Sequence, residues 1–368
     1  RMSEDDMLSV TTYDSRVDVI IPTTKVVDKS RLKDRINQIN PGGMTALYDG
    51  WSIGAEQVAE FADNNSLSRV LLLSDGQANS GLTDEETITS HCGTMAENGV
   101  TTSTYGLGPR FNENLMSAMA TAGQGQSHYG QTADDLMDPF SEEFDLMEAI
   151  IARRMRLRIL PEIGVSFELL NHYSKDREGR FILPDLAYGA DVWALLKIKV
   201  TKSLCEAARG SSLRLLTSTI DFIDPDGNEV STVPSMMTVE LHSPYAYAEL
   251  TMDDTVQQRS IELRAATLQQ QAHLAARDGD WIRIDQIMEE LEQLGKGNAW
   301  LKASIQRLRT YSQTRRRDDF AKEARYKSDR MRRRSVSRYE SMDSYSEASE
   351  SAQPSYLRRK LEQGKKQK

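Results

Sequence analysis

One short stretch constrains this chain more than any other: Leu71-Leu72-Leu73-Ser74-Asp75-Gly76-Gln77-Ala78-Asn79. Three leucines run straight into an acid, a glycine and an amide. An unbroken apolar run bounded by turn residues is the pattern of a parallel strand covered on both faces. Ligands of open α/β sheets gather at the carboxyl ends of such strands, which is where Asp75 stands. A second stretch answers it, Pro41-Gly42-Gly43-Met44-Thr45-Ala46-Leu47-Tyr48-Asp49-Gly50. Gly42, Gly43 and Gly76 let backbone approach closely, and Thr45 offers a hydroxyl where a helix begins, in a position to cap it. A hydroxyl and a carboxylate together present only oxygen, which suits a hard cation such as Mg²⁺.

The surrounding pattern predicts the sheet that this strand needs. Strands are expected over 7–13, 17–21, 69–74, 100–107 and 128–129. Helices are expected over 29–39, 45–62, 83–97 (with Thr83 as cap and Glu86 completing a capping box), 111–122 and 134–151. Helices alternating with strands imply a parallel sheet with right-handed crossovers. The fold class expected for residues 1–150 is therefore a Rossmann-like, doubly wound α/β sheet.

Near Arg153 the character changes. Residues 153–250 read as strands without helices, punctuated by Lys175-Asp176-Arg177-Glu178-Gly179 and Asp224-Pro225-Asp226-Gly227-Asn228. That spacing predicts a β-sandwich-like module, with a hairpin closed over the Pro-Asp-Gly turn. Residues 253–313 turn helical, with stripes at Trp281, Ile284, Ile287, Leu291 and Leu294 and at Trp300, Leu301, Ile305 and Leu308. About three helices in an antiparallel bundle account for them. Beyond Gln313 the apolar content falls; residues 314–368 read as a basic, serine-rich, disordered tail, with a charged helical extension as the alternative over Arg315–Arg334 and disorder read most directly from the serines of 335–355.

Charge follows the same division. The net charge is −9. From Arg315 to Lys368 there are 17 Lys and Arg against 9 Asp and Glu, so the last stretch carries +8 and residues 1–314 carry −17. Such a tail is suited to acidic partners, nucleic acid or an anionic surface. No run of 18 apolar residues exists, so no membrane-spanning helix is expected. Cys92 and Cys205 are the two cysteines. They do not make a disulfide framework, which points to a reducing compartment, the cytoplasm. The five histidines are scattered, no Cys/His pair has zinc-ligand spacing, and neither a GxGxxG loop nor a Gly-x-Ser-x-Gly elbow is present.

With these residues laid out, the first ~150 positions resemble a von Willebrand factor type A (vWA) domain of the kind common in bacterial proteins. The carriers are Gly42-Gly43-Met44-Thr45-Ala46-Leu47, then Leu72-Leu73-Ser74-Asp75-Gly76-Gln77-Ala78-Asn79, then Gly99-Val100 ahead of Tyr105-Gly106-Leu107-Gly108. The resemblance implies a metal-ion-dependent adhesion site, in which a Mg²⁺-type ion is ligated by an Asp-x-Ser-x-Ser motif, a Thr and an Asp, and is completed by a carboxylate from a partner protein. It maps the Thr onto Thr45 and the Asp onto Asp75, with Asp49 as a possible acid behind them. The Asp-x-Ser-x-Ser motif is absent from this sequence. The resemblance thus implies a domain entered at its second strand, which reads as truncation rather than loss of the site because both remaining loops are intact. Two ligands alone do not satisfy an ion that demands an octahedral oxygen shell.

The function expected is a non-enzymatic protein-protein interaction module, with Thr45 and Asp75 as metal residues and no small-molecule substrate. Two other classes stay open: a metal-dependent hydrolase, which would need a general base near the ion, and a scaffold that binds nucleic acid or anionic surfaces through its basic tail.

Overall fold

The computed structural model describes residues 2–333, apart from 41, 64, 172, 209, 210, 243 and 297, together with 336 and 337. The chain divides into two compact units between Ala149 and Ile150.

The first unit runs β1 (Met7–Tyr13), β2 (Val17–Lys25), α1 (Lys29–Asn37), α2 (Leu47–Ala59), β3 (Ser68–Ser74), α3 (Glu85–Glu97), β4 (Val100–Leu107), α4 (Glu113–Ala122), β5 (Gln124–Gly130) and α5 (Ala133–Glu148). The strands β3, β4 and β5 form a parallel sheet with β4 in the middle. The strands β1 and β2 form a separate antiparallel hairpin. Leu47, Trp51 and Ala55 of α2, Ile88 and Cys92 of α3, and Leu115, Met116 and Met119 of α4 pack around Leu72. This is the α/β sheet that the alternation of periods predicts.

Three local expectations are corrected. The helix α3 is capped by Asp84, whose carboxylate accepts from Thr87 N at 2.8 Å, and not by Thr83. The helix α5 ends at Glu148, because Ile150 already belongs to the next strand. Most consequentially, β3 is not buried throughout: Leu72 is, but Leu73 is 50% exposed. Among the described residues, β3 pairs only with β4 and β1 only with β2, so each has one open edge. Between them the Tyr13 hydroxyl donates to the Leu73 carbonyl at 2.5 Å.

The buried strand is β4, which sequence pattern alone ranks as polar. Thr101, Thr102, Ser103 and Thr104 are all enclosed, and each hydroxyl has a partner as burial requires. Trp51 Nε1 donates to Thr102 Oγ1 at 3.1 Å and Arg69 Nε to Thr101 Oγ1 at 2.9 Å. Thr104 Oγ1 donates to the Met116 carbonyl at 2.9 Å, and Ser103 Oγ to Glu143 Oε1 at 2.6 Å. The strand β5 begins earlier than its histidine suggests. It does so because side chains at Gly123 and Gly125 would collide with Thr102, so their absence lets β5 close onto β4.

The second unit opens with β6 (Ile150–Pro161), β7 (Val165–Leu169), β8 (Phe181–Ile182), β9 (Leu186–Ala187), β10 (Ala190–Asp191), β11 (Leu196–Val200), α6 (Lys202–Ala207), β12 (Ser212–Ile223), β13 (Glu229–Ser231), β14 (Ser235–Glu240) and α7 (Pro244–Ala248). The two short helices are a departure from the helix-free reading of this stretch. The long strands β6 and β12 pair antiparallel at the centre of the larger sheet. The β7–β11 pair packs Phe167 and Leu169 against Met155, Leu157 and Phe181, which gives the expected two-layered, sandwich-like core. The hairpin β12–β13 closes over the turn at 224–228, where Asp224 accepts from Asn228 N at 2.8 Å.

Four helices follow: α8 (Asp254–Asp278), α9 (Trp281–Leu294), α10 (Ala299–Gln313) and α11 (Arg317–Arg333). A final strand β15 (Val336–Ser337) pairs with β10. The stripes of α9 and α10 form the core as anticipated, with Ile284, Ile287, Leu291, Leu301 and Leu308 fully enclosed. The side chain of Trp300 lies outside the described residues. The expectation that folded structure stops at Gln313 is corrected. The helix α11 buries Phe320, Ala321, Ala324 and Met331 in the same core as the alanines of α8. Small residues on α8 admit a close neighbour, and Ser328 Oγ donates to the Ala266 carbonyl at 2.8 Å while His273 Nδ1 donates to that of Ala321 at 2.9 Å. The serine-rich stretch 338–368 lies outside the described residues.

Candidate functional site

The loop between β3 and α3 and the loop leading into α2 come together as the sequence predicts, and their backbones hold one another. Thr45 N donates to Asn79 Oδ1 at 2.8 Å, and Asn79 N returns to the Thr45 carbonyl at 3.2 Å. A side chain at Gly76 would meet the Thr45 hydroxyl at 2.8 Å, so that hydroxyl faces the residue next to Asp75 across a gap that only glycine leaves open. The expectation that Thr45 caps α2 is corrected. Ala46 takes the cap position, without a side-chain cap bond. Among the described residues neither the Thr45 hydroxyl nor the Asp75 carboxylate makes a hydrogen bond or ion pair, and Asp75 is exposed. The two oxygen groups are thus carried on loops that touch, and both are uncommitted.

The glycine loop rests on the β1–β2 turn, a contribution that sequence reasoning missed. Ser15 Oγ accepts from Met44 N at 3.0 Å, and the Asp14 carbonyl accepts from Ala46 N at 2.9 Å. A Cβ at Gly42 would overlap the Asp14 carboxylate, and one at Gly43 would sit 2.7 Å from Ser15 Oγ. The signal available was an Asp-Ser pair in a hairpin turn, which ordinary turn chemistry explains equally well. Asp49 reaches the same rim, where a Cβ on Gly81, itself at φ +72°, would stand 2.8 Å from Asp49 Oδ2. Gln77 is spent on structure, donating to the Arg110 carbonyl at 2.7 Å. Below the rim, burial pushes the Tyr13 hydroxyl up to about 12, against a hydrogen bond with Ser74 and assisted by the Asp75 charge.

Thr45 and Asp75 are the right kind of donor for Mg²⁺, but two oxygens fall short of its six-oxygen shell. Among the described residues no group of three or more His, Cys, Asp or Glu is placed to hold a metal ion. The described residues alone therefore do not complete such a site. His91 is engaged with the Tyr48 hydroxyl at 2.8 Å.

Comparison with known proteins gives the same picture. The sequence model of the von Willebrand factor type A domain matches residues 2–142. The uncharacterised protein sll0103 of Synechocystis sp. is 27% identical over 151 residues, which are 41% of this chain and 35% of that protein. The uncharacterised protein YfbK of Escherichia coli is 26% identical over 159 residues, 43% of this chain and 28% of that protein. The matched region is thus about a third of the length of these curated relatives. Among solved structures, a von Willebrand factor type A protein from Catenulispora acidiphila aligns with TM-score 0.65 at 13% identity, covering 82% of this chain and 74% of its own. The ArnB paralog VWA2 from Sulfolobus acidocaldarius aligns with TM-score 0.55 at 15% identity, covering 89% and 78%. Both alignments reach well beyond residue 142, so the fold likeness extends into the second unit. Motifs, strand order and family match agree, and residues 2–142 are a von Willebrand factor type A domain.

Proposed function

We propose that this chain is a non-enzymatic protein-interaction module whose docking face is the rim carrying Thr45 and Asp75. vWA domains are generally interaction modules, and some bind through a metal-ion-dependent adhesion site. The observation that carries the reading here is an uncommitted hydroxyl and an uncommitted carboxylate on two loops that brace each other, where tight glycine packing keeps side chains away. In the full form of the reading, a Mg²⁺-type ion is shared between these two oxygens, further oxygens from an Asp-x-Ser-x-Ser segment that this sequence lacks, and a carboxylate on an acidic partner surface. No helix among the described residues is long and apolar enough to cross a membrane, so the face is presented without a membrane-spanning helix in this part of the chain.

The test is capture of partners from lysate by the immobilised chain, with the bound set compared in Mg²⁺ and in chelator. The same comparison is made for Asp75→Ala and Thr45→Ala. Loss of one set of partners in both variants supports the docking face, and loss of that set in chelator supports the ion. An unchanged set in both variants sinks the reading.

A further inference from the structure

The strand β14 is the outer strand of the larger sheet in the second unit. It pairs with β12 along Ser212–Ser218, and among the described residues no strand pairs with its other edge. All six of its residues are exposed. Edge strands in soluble proteins are ordinarily blunted by lysine, proline or a bulge; the ladder slips register on β12 between Arg214 and Leu216, but β14 itself stays regular and carries a single charge, Glu240, at its end. Met236 is 62% exposed and Met237 44%. Val239 stands opposite Leu213, and Met237 opposite Leu216, both of them buried. The apolar row of the packed face therefore continues onto β14 and ends there uncovered. On the other face Thr238 stands opposite Arg214, whose Nη1 leans to within 3.8 Å of Met236 Sδ.

We propose that β14 pairs antiparallel with β14 of a second copy of this chain, about a two-fold axis through Thr238, so that two sheets join into one. Residues directly opposite in an antiparallel pair share a face. In this register Val239 of each copy meets Met237 of the other, and the uncovered row is continued by its own equivalent. Met236 of each copy meets Glu240 of the other, which brings that carboxylate beside the leaning Arg214 guanidinium. Arg214 uses Nε for Glu162 at 2.5 Å and keeps its Nη1 side towards Met236, and Glu240 has its own His242 Nε2 at 3.8 Å from Oε2, so in this register a carboxylate of one copy faces the Nη1 side of a guanidinium of the other. A slip of one residue would set the apolar face of one copy beside the polar face of the other. The closed two-fold pairing also leaves neither β14 edge open to further addition.

Sedimentation velocity on the full chain over a range of concentrations tests this. The expected result is a monomer–dimer equilibrium. Thr238→Arg, which places like charges on the axis, should weaken it roughly tenfold or more with an unchanged circular dichroism spectrum. Arg214→Glu and Glu240→Arg should each weaken it, and the double variant should restore it. Thr238→Cys in a Cys205→Ser background should give a disulfide-linked dimer when diamide takes up the two thiol hydrogens. A chain that is monomeric throughout overturns the proposal, as does a dimer that survives Thr238→Arg and yields no such cross-link.

Discussion

Arg69 and Glu143 meet inside the first unit at 2.7 Å, with side chains 3% and 0% exposed. Glu143 Oε1 also accepts from Ser103, and His128 Nε2 lies 3.5 Å from Oε2. Burial raises the carboxyl, but His128, Arg69 and Ser103 together outweigh it and hold Glu143 at about 2, below its ordinary 4.5. A depressed acid contributes stability above its unfolded value and loses it as pH falls through the folded one. Stability should accordingly fall between about pH 4.5 and pH 2. Glu143→Gln takes the carboxylate charge away from Arg69 and should cost about 1–3 kcal/mol at neutral pH. Urea melts of both proteins at pH 6 and pH 3 check this, and the variant should show the smaller loss on acidification.

The collision between a residue at 42 and Asp14 can be measured as a coupling. Gly42→Ala should destabilise by about 1–3 kcal/mol through overpacking, with most of that recovered in the Asp14→Ala background. If the two costs simply add in denaturant titrations, the packing described for this loop is wrong.

Asn79→Ala removes the acceptor for Thr45 N and should cost about 1 kcal/mol, while Asn79→Asp, which keeps an oxygen there, should cost less. Thermal melts would show the difference, and equal losses for the two variants would refute the bond's role.

Phe320 is fully enclosed, although it stands among arginines and aspartates. Phe320→Ala should destabilise the helical bundle by about 3–5 kcal/mol, read as faster hydrogen exchange in α8. A flexible tail would show no change.

The two thiols should separate cleanly. Cys92 has no exposure, and burial pushes its thiol up to about 12, while Cys205 is half-buried. A disulfide-exchange reagent at pH 8 should titrate one thiol in the native chain and two after denaturation. Two rapid native thiols would contradict the burial of α3.

What sequence made legible was local and strongly patterned. The acid after the leucines and the glycine-threonine loop were both readable, because turn chemistry and strand-end placement are encoded within a few residues. Leu73 was misjudged for the opposite reason. Its burial depends on what pairs with the far edge of β3, and no window around residue 73 contains that information. Asp14 and Ser15 were unremarkable until the fold placed them beneath residues 42–46. The helix α11 hid because only Phe320 and Met331 among its buried described positions are large and apolar, the others being two alanines, a serine, a lysine and a glutamate, among arginines that dominate any composition measure. The hydroxyl-lined β4 was read as a strand, but nothing in a run of threonine and serine announces that it is the enclosed one.

The pairing of α8 with α11 also bears on how the protein is made. Their contact joins the first and last helices of the bundle, so α8 emerges from the ribosome with its alanine face bare. At ordinary elongation rates the chain from Asp278 to Arg333 takes roughly 3 to 11 s to appear. Arrested nascent chains that end at Gln313 should remain open to protease within α8, and those that include all of α11 should not. For those seconds the bundle depends on whatever shelters a half-built hydrophobic surface during translation.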